Sequence, residues 1–267
     1  MLIAITREVS PTLNQCELTH RERQPIDLRR AIAEHHAYQQ CLRDLGLRLI
    51  SLPAEPDYPD AMFVEDPVVV VEEVAVIARM GAASRRGEAD SLARELAPYR
   101  PLYRMREPAT LDGGDVLRAG RTLFVGLSER TNAAGIQQLA LAVEPFGYRV
   151  CPVEVSGCLH LKSGASWLGE DAVLVHRPWV DGGAFRGLRL LDAPAGEEWG
   201  ANVLFVGNTA LVAEGFPRTA ELVRKLGREV RTLDMSELMK AEAGLTCSSV
   251  IFTAGEPAPG NGGDRFR

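Results

Sequence analysis

The sequence has no run of apolar residues long enough to cross a membrane and no pair of cysteines at CxxC spacing. A membrane-spanning helix needs about 18 consecutive apolar residues, so none is predicted. The first residues turn polar almost at once and lack the basic and apolar regions of a secretion signal. The five cysteines fit neither a disulfide framework nor a zinc site. We therefore expect reduced thiols and a cytoplasmic protein.

An excess of basic residues is also missing, because 30 Lys and Arg stand against 36 Asp and Glu, for a net charge of −6 at pH 7. This balance argues against nucleic acid or an anionic membrane as a partner and mildly favours cationic ligands. The glycine-containing stretch 81–87 lacks the strand-to-helix spacing of a phosphate-binding loop. No metal-binding cluster is recognised either, so no cofactor is predicted. The 267 residues, 46% of them hydrophobic, suffice to form a core without disulfides.

A weak repeat organises the chain. Four stretches each contain an apolar segment, a short turn and a second apolar segment: 62–80, 110–128, 160–177 and 200–215. Apolar residues at helical spacing follow three of them, at 84–99, 128–147 and 217–227. The period of about 45 residues is typical of a propeller or repeat array. The helical segment 26–46 and the strands at the two ends form one further unit, which is split between the termini and closes a ring.

Chemistry-bearing residues occupy the same place in each unit, at the start of its first strand. They are Glu65 and Asp66, Asp112, His160, Asn202 and Cys247. Taken singly, each has an ordinary structural explanation, as a buried thiol, a hydrogen-bonded imidazole or a turn residue. Their shared phase in the repeat instead predicts one site, where the strand starts converge around an axis. The glycines after Asp112 allow the backbone to approach a ligand closely.

Seven short motifs run along nearly the whole chain: PDAMFVEDP, GAASRRGE, LDGGD, FVGLSERTN, LHLKSG, FPRTAE and GLTCSSV. In this order they resemble the dimethylarginine dimethylaminohydrolase family of the guanidine-modifying superfamily. The resemblance implies the α/β fold of that superfamily, a five-bladed propeller called a pentein, for a single catalytic domain over residues 1–255. Residues 256–267 have no counterpart in the family and are predicted to be disordered.

The resemblance also implies an activity and a set of site residues. The activity is hydrolysis of N-omega-methylated arginine to citrulline and dimethylamine or methylamine, through a covalent thiouronium on a cysteine and without metal or cofactor. The catalytic residues are Cys247 as nucleophile, His160 as general acid and base, and Asp112 as the supporting carboxylate. The substrate-binding residues are Glu65 and Asp66 for the guanidinium, Arg85 and Arg130 for the carboxylate, and Asp60 with Leu18 for the amino group.

Two further details come with the resemblance. Leu18 is expected on a mobile lid within the stretch 11–25, and Asp115 is expected to fix its loop rather than to act in catalysis. The residues also suit the chemistry of this reaction. A guanidinium carbon is a poor electrophile, so the attacking group has to be a strong nucleophile such as a thiolate. Carboxylates can position the cation, and a histidine can carry protons to the leaving amine and from water. Burial and neighbouring carboxylates raise a thiol pKa. Cys247 is therefore predicted to be largely protonated when no substrate is bound.

Two alternatives stay open. One is an arginine deiminase or amidinotransferase on the same scaffold, and the other is a non-catalytic protein that binds guanidino compounds. Arginine deiminases place a second acidic residue two positions after the catalytic histidine, where this chain has Lys162. The difference favours a methylated arginine as the small-molecule substrate. The oligomeric state is not determined by the sequence, and a homodimer is one of the assemblies considered.

Overall fold

The computed structural model describes residues 1–254, so the predicted disorder of residues 256–267 lies outside the described residues. Within the described part, fifteen strands form five three-stranded sheets. The strands are β1 (Leu2–Arg7), β2 (Arg48–Leu52), β3 (Val68–Val70), β4 (Ala75–Ile77), β5 (Leu102–Arg104), β6 (Val116–Ala119), β7 (Thr122–Leu127), β8 (Arg149–Glu154), β9 (Ala165–Trp167), β10 (Ala172–Val175), β11 (Arg189–Asp192), β12 (Leu204–Val206), β13 (Thr209–Ala213), β14 (Glu229–Leu233) and β15 (Val250–Thr253). The helices are α1 (Leu28–Asp44), α2 (Ala89–Leu96), α3 (Ala133–Val143), α4 (Leu161–Gly164) and α5 (Pro217–Arg224).

Every sheet has the same topology. A middle strand pairs antiparallel with the strand of a hairpin on one side and parallel with a later strand on the other. In the sheet of β6, β7 and β8, for example, Val116 lies opposite Val125 in the antiparallel pair, and Thr122 lies opposite Arg149 in the parallel pair. The turn at residues 72–73, which has no good hairpin residues, still closes a hairpin between β3 and β4.

The two ends of the described chain complete the fifth sheet. Strand β1 pairs antiparallel with β15, from Leu2 opposite Thr253 to Ile5 opposite Val250, and parallel with β2. The split unit predicted from the repeat is therefore confirmed, as is the five-bladed α/β-propeller. Neighbouring sheets also share apolar clusters, because Ile3 of β1 and Ile77 of β4 belong to one of them.

Helices α1, α2, α3 and α5 connect the middle strand of a sheet to its parallel neighbour. The connection from β10 to β11 holds only a 3₁₀ turn at Gly182–Ala184, as the missing helical pattern predicted. The helix expected over 128–147 is shorter than predicted, since α3 begins only after Asn132, whose side chain accepts a hydrogen bond from the Gly135 N–H at 2.8 Å. No helix within residues 1–254 is long and apolar enough to cross a membrane.

Candidate active site

Short turns lead into the first strand of each hairpin, and the predicted catalytic residues lie in these turns. Asp66 lies just before β3, Asp112 precedes the 3₁₀ turn Gly113–Asp115, and His160 is the N-cap of α4. Cys247 lies in the 3₁₀ turn Thr246–Ser248, just before β15. We call these four residues the floor of the site. The convergence that the repeat predicted is thus present in the fold.

One pocket opens above the floor. Its lining residues are Glu17, Asp60, Phe63, Asp66, Arg85, Arg130, Leu159, His160, Ala241, Glu242, Ala243 and Cys247. Six of the nine predicted site residues therefore line one space, and Asp112 lies behind the His160 ring. Glu65 and Leu18 do not line it. The Leu18 side chain packs against an apolar cluster instead, although the neighbouring Glu17 does reach the pocket.

The His160 ring is held between two carboxylates. Its Nε2 lies 3.1 Å from Asp112 Oδ2, and its Nδ1 lies 3.8 Å from Asp66 Oδ1. Asp112 is itself fixed, because its Oδ1 accepts a hydrogen bond from the Gly81 N–H at 2.8 Å. Burial alone would lower the pKa of His160, but Asp66 and the hydrogen bond to Asp112 outweigh it and raise the pKa to about 9. The imidazole is therefore a cation at neutral pH.

The two glycines between Asp112 and Asp115 allow this close packing. A Cβ atom on Gly114 would lie 2.5 Å from His160 Nδ1 and 2.7 Å from Asp66 Oδ1. The backbone N–H of Gly114 also donates to Asp66 Oδ1 at 3.2 Å. Glycine at this position therefore lets the backbone touch both charged groups.

Asp115 is as buried as Asp112 but faces away from the pocket. Its Oδ2 accepts hydrogen bonds from Ser128 Oγ at 2.6 Å and Thr131 Oγ1 at 2.7 Å, and its Oδ1 accepts from the Leu161 N–H at 2.8 Å. These contacts join the His160 turn to residues 128–131, which explains why those residues form a turn rather than the start of α3. The role predicted for Asp115, fixing its loop, agrees with these contacts.

The thiol of Cys247 is half-buried beside acidic groups. Its Sγ accepts a hydrogen bond from the Gly244 N–H at 3.4 Å, and its carbonyl oxygen accepts one from the Glu65 N–H at 3.3 Å. Burial raises the pKa of Cys247 most, and the charges of Glu65 and Asp66 raise it further, to about 12. The direction of this shift is the one predicted, and it favours the protonated thiol at neutral pH when no substrate is bound.

Both carboxylates of the FVEDP motif have a cationic partner. Glu65 accepts hydrogen bonds from Lys162 Nζ at 2.5 Å and from Thr246 Oγ1 at 2.8 Å. Asp66 Oδ2 accepts one from Arg85 Nη1 at 2.9 Å. Burial raises the pKa of Glu65 against the effect of Lys162. For Asp66, burial acts in the same direction, but His160 and Arg85 outweigh it and lower the pKa.

Glu88, which sequence reasoning missed, holds Arg85 in place. It accepts hydrogen bonds from Arg85 Nε at 2.9 Å and from Nη2 at 2.8 Å, and both side chains are almost fully buried. This bidentate geometry fixes the plane of the guanidinium. The spacing of three residues between Arg85 and Glu88 was a signal that could have suggested the pair.

Residues 17–21, which we call the mouth loop, lie at the edge of the pocket, and Glu17 belongs to its lining. The Glu17 N–H donates to Asp60 Oδ2 at 3.0 Å, and Arg130 Nη2 donates to Thr19 Oγ1 at 2.9 Å. Glu242, which no sequence motif singled out, binds the same loop through its carboxylate. Two predicted substrate-binding residues are therefore in contact with the loop above them.

Asn202 occupies the equivalent turn of the remaining unit. Its Nδ2 donates to the Lys162 carbonyl at 2.8 Å and to Thr246 Oγ1 at 3.0 Å, so it joins the turns that carry His160 and Cys247. Across residues 1–254, no group of three or more His, Cys, Asp or Glu side chains is arranged to hold a metal ion. The chemical groups that the pocket presents are one thiol, one imidazolium, carboxylates and guanidinium groups.

A ring of five sheets with a cysteine, a histidine and carboxylates at its strand entries defines a pentein of the guanidine-modifying class. The model of the family described as "N,N dimethylarginine dimethylhydrolase, eukaryotic" matches residues 7–177. An N(G),N(G)-dimethylarginine dimethylaminohydrolase from Streptomyces coelicolor is 42% identical over 249 residues, which cover 92% of this chain and 95% of that protein. The chain belongs to the dimethylarginine dimethylaminohydrolase family.

Two further comparisons agree with this membership. An N(G),N(G)-dimethylarginine dimethylaminohydrolase from Pseudomonas aeruginosa is 32% identical over 228 residues, with 85% of this chain and 90% of that protein covered. The solved structure of a cysteine-to-serine variant of the Pseudomonas aeruginosa enzyme, complexed with citrulline, matches with a TM-score of 0.89 at 30% identity. That match covers 93% of this chain and 98% of the other. The family and the fold predicted from the motifs are confirmed.

Proposed function

We propose that this chain hydrolyses N-omega-methylated arginine to citrulline and dimethylamine or methylamine, with Cys247 as the nucleophile. Family membership supports the reaction class. The observation that carries the proposal for this chain is the pocket itself, which the Cys247 thiol and the His160 imidazolium line together with Asp66. A thiol, a proton carrier and a cation-binding carboxylate are the three groups that the reaction requires.

Substrate binding begins with the guanidinium. Asp66 lines the pocket and faces this cation, whereas Glu65 lies outside the lining, paired with Lys162 and Thr246. We infer that Glu65 acts through its negative charge and by fixing the turn of Cys247. With acidic groups on one side only, the other side of the guanidinium can carry N-methyl groups.

The first chemical step forms a carbon–sulfur bond. The bound guanidinium favours the thiolate of Cys247, whose proton leaves to solvent because His160 is already protonated, and the sulfur attacks the guanidinium carbon to form a tetrahedral adduct. His160, which is already protonated, gives its proton to the methylated nitrogen. The bond between carbon and that nitrogen then breaks, dimethylamine or methylamine leaves, and a thiouronium remains on the cysteine.

The second step reverses the roles. Neutral His160 removes a proton from water, and the resulting hydroxide attacks the thiouronium carbon. The carbon–sulfur bond breaks, the sulfur leaves with its electron pair and takes up the proton of the added hydroxyl, and citrulline is released with the Cys247 thiol restored. Asp112 supports both steps because its hydrogen bond at 3.1 Å orients the ring and stabilises its positive form.

The amino-acid end of the substrate lies under the mouth loop. Arg130 and Arg85 are proposed to bind its carboxylate, and Asp60 with the Leu18 region its amino group. Four of the five N–H groups of Arg85 already donate to Glu88, Asp66 and the Asp60 carbonyl. One N–H of Arg85 is left for a ligand, so Arg130 is expected to make the larger contribution. A homodimer and a cytoplasmic location stay predictions.

A side-by-side assay tests the proposal. The purified chain is given dimethylarginine, monomethylarginine and arginine, and citrulline, dimethylamine, methylamine and ammonia are measured, with the Cys247→Ser variant as control. We expect citrulline and dimethylamine in equal amounts, and slower turnover of arginine. Faster release of ammonia from arginine would identify a deiminase, and transfer of the amidino group to an added amine would identify an amidinotransferase. Tight binding of these compounds without turnover would identify a non-catalytic protein that binds guanidino compounds.

A further inference from the structure

The buried carboxylate of Glu242 makes most of the side-chain contacts to the backbone of the mouth loop. Glu242 is only 5% exposed, and its two oxygens accept hydrogen bonds from the consecutive backbone N–H groups of Thr19, His20 and Arg21. Consecutive N–H groups that point at one place form a binding site for an anion. Here the anion is the Glu242 carboxylate. Glu242 lies five residues before Cys247, so the contact holds the mouth loop against the segment that carries the nucleophile.

The backbone of Glu242 has a strained conformation. Its φ is +58°, and Glu170 is the one other non-glycine residue among the described residues with a positive φ. The left-handed region is unfavourable for a residue with a Cβ, and glycine is the usual choice there. A glutamate at such a position, buried and fully engaged with the loop, indicates that the side-chain contacts offset the backbone strain.

Glu242 connects the loop to the nucleophile and to the substrate-binding residues. It lies in the segment that leads to Cys247, whose Sγ accepts a hydrogen bond from the Gly244 N–H at 3.4 Å. The loop that Glu242 holds contacts Asp60 through Glu17 and Arg130 through Thr19. The Glu242 carboxylate thus connects the mouth loop to the segment of Cys247, and the same loop contacts Asp60 and Arg130.

The far end of the loop is held by a second contact. The Arg21 guanidinium lies 4.2 Å from the centre of the Trp199 ring, in cation–π geometry. Burial lowers the pKa of Arg21, and the charge of Glu242 opposes that shift. The Glu242 contact therefore also stabilises the positive charge of the residue that stacks on Trp199.

We propose that Glu242 is a positioning residue that closes the mouth loop over the pocket, orders the site for the amino-acid end of the substrate and keeps bulk water from Cys247. The effect of Glu242 on substrate binding rests on the proposed function. Glu242 itself makes no bond to the reacting atoms. Without its carboxylate, three backbone N–H groups lose their acceptor, the loop opens, and Asp60 and Arg130 lose partners that hold them in place.

The test compares two variants with a control matched in backbone conformation. Glu242→Gly removes the carboxylate and accepts the positive φ, and Glu242→Gln keeps the size but removes the charge. Glu170→Gly is the control, because Glu170 also has a positive φ, at 51°, but is exposed and pairs with Arg228 at 3.0 Å. Both glycine variants relieve backbone strain, so a difference between them reports the lost contacts of the side chain.

Three readouts are measured for each protein. They are kcat and KM for dimethylarginine, the rate of Cys247 alkylation by iodoacetamide, followed by mass spectrometry of its peptide, and tryptic cleavage after Arg21 and Arg23. For Glu242→Gly we expect KM to rise roughly ten- to hundredfold, as for loss of hydrogen bonds to a charged group. We also expect faster alkylation and faster cleavage, a smaller change for Glu242→Gln, and wild-type behaviour for Glu170→Gly.

Unchanged KM, alkylation and cleavage in a folded Glu242→Gly protein would overturn the proposal. If that variant does not fold, unchanged values in Glu242→Gln would overturn it equally. Alkylation and proteolysis need no turnover, so they test the loop even if the wild-type chain fails to hydrolyse dimethylarginine. In that case the proposed function fails, and the role of Glu242 in closing the loop is judged separately.

Discussion

The floor and the mouth loop of the pocket are built from different parts of the fold. The floor residues lie in turns that occupy equivalent places in successive units of the propeller. The mouth loop lies in the connection between β1 and α1, and Arg85 and Arg130 lie in the equivalent connections of two other units, between β4 and α2 and between β7 and α3. The residues proposed for the reaction therefore come from the turns before the first strands, whereas the mouth loop, Arg85 and Arg130 come from the connections that follow the middle strands.

The two regions also differ in how their polar groups are held. Floor groups such as His160 and Asp112 are almost fully buried and bind each other directly. Removing one partner of a buried charged pair leaves the other uncompensated, which is costly. The residues of the mouth loop are exposed or half-buried, and the loop is held mainly through its backbone N–H groups, which donate to the carboxylates of Asp60 and Glu242. We therefore expect floor variants to lower kcat and mouth variants to raise KM.

The largest effect is expected for Cys247→Ser. A hydroxyl is too weak an acid to ionise beside Glu65 and Asp66, so activity should fall roughly a thousandfold or more. Circular dichroism should be unchanged, because the substitution is nearly isosteric. Cys151→Ser, at a half-buried position on β8, is the matched control and should keep near wild-type activity. Residual activity of more than a few per cent would remove Cys247 from the nucleophile role.

The next effect concerns the support of His160. In Asp112→Asn, a neutral amide replaces a carboxylate that raises the pKa of His160, so that pKa should fall from its value of about 9. The pH at which the imidazolium loses its proton, measured by NMR titration of the ring, should therefore move down. We expect kcat to fall about a hundredfold or more.

Asp115→Asn sharpens this test within the same turn. Asp115 accepts its hydrogen bonds from Ser128, Thr131 and the Leu161 N–H and does not touch the ring. Its replacement should lower the melting temperature and leave the titration of His160 closer to wild type. An unchanged His160 titration in Asp112→Asn would contradict the role proposed for Asp112.

The floor could be predicted from the sequence because its residues recur in phase with the apolar repeat. Glu242 could not, because its partners Thr19 and His20 lie more than two hundred residues away in the chain and no local pattern records the contact. The start of α3 was misjudged for a related reason. The hydroxyls of Ser128 and Thr131 bind the buried Asp115, and this long-range contact overrides the helical pattern.

A smaller effect is expected at the mouth, for Arg130→Ala. Loss of a charge-assisted hydrogen bond costs about 1.5–3 kcal/mol, roughly a ten- to hundredfold change, which should appear mainly in KM. A substrate analogue that lacks the α-carboxylate should be insensitive to the substitution. Arg149→Ala, which removes an exposed arginine on β8, is the control. Equal penalties for substrate and analogue would show that Arg130 does not bind the carboxylate.

The smallest expected effect is the change in the pKa of Cys247 when a cation binds. This change depends on the charges of the floor and not on the mouth loop. Burial and the charges of Glu65 and Asp66 raise this pKa to about 12, and the Gly244 N–H and the charge of Lys162 oppose that shift only in part. The substrate guanidinium would bring a positive charge over the sulfur, and an opposite charge within a few ångströms lowers a pKa by about one unit or more.

Alkylation by iodoacetamide over a range of pH, together with thiolate absorbance, measures this shift, and Cys247→Ser supplies the baseline. Without ligand, the apparent pKa of the thiol should lie at or above the ordinary value of about 8.5. A non-reacting cationic amidine should lower it by about one unit, a roughly tenfold gain in thiolate at a given pH. A pKa well below 7 that ignores the amidine would instead require a thiolate–imidazolium pair already formed in the floor. Because the thiolate is the form that oxidises, a thiol that ionises only under a bound cation also resists oxidation while the pocket holds no substrate.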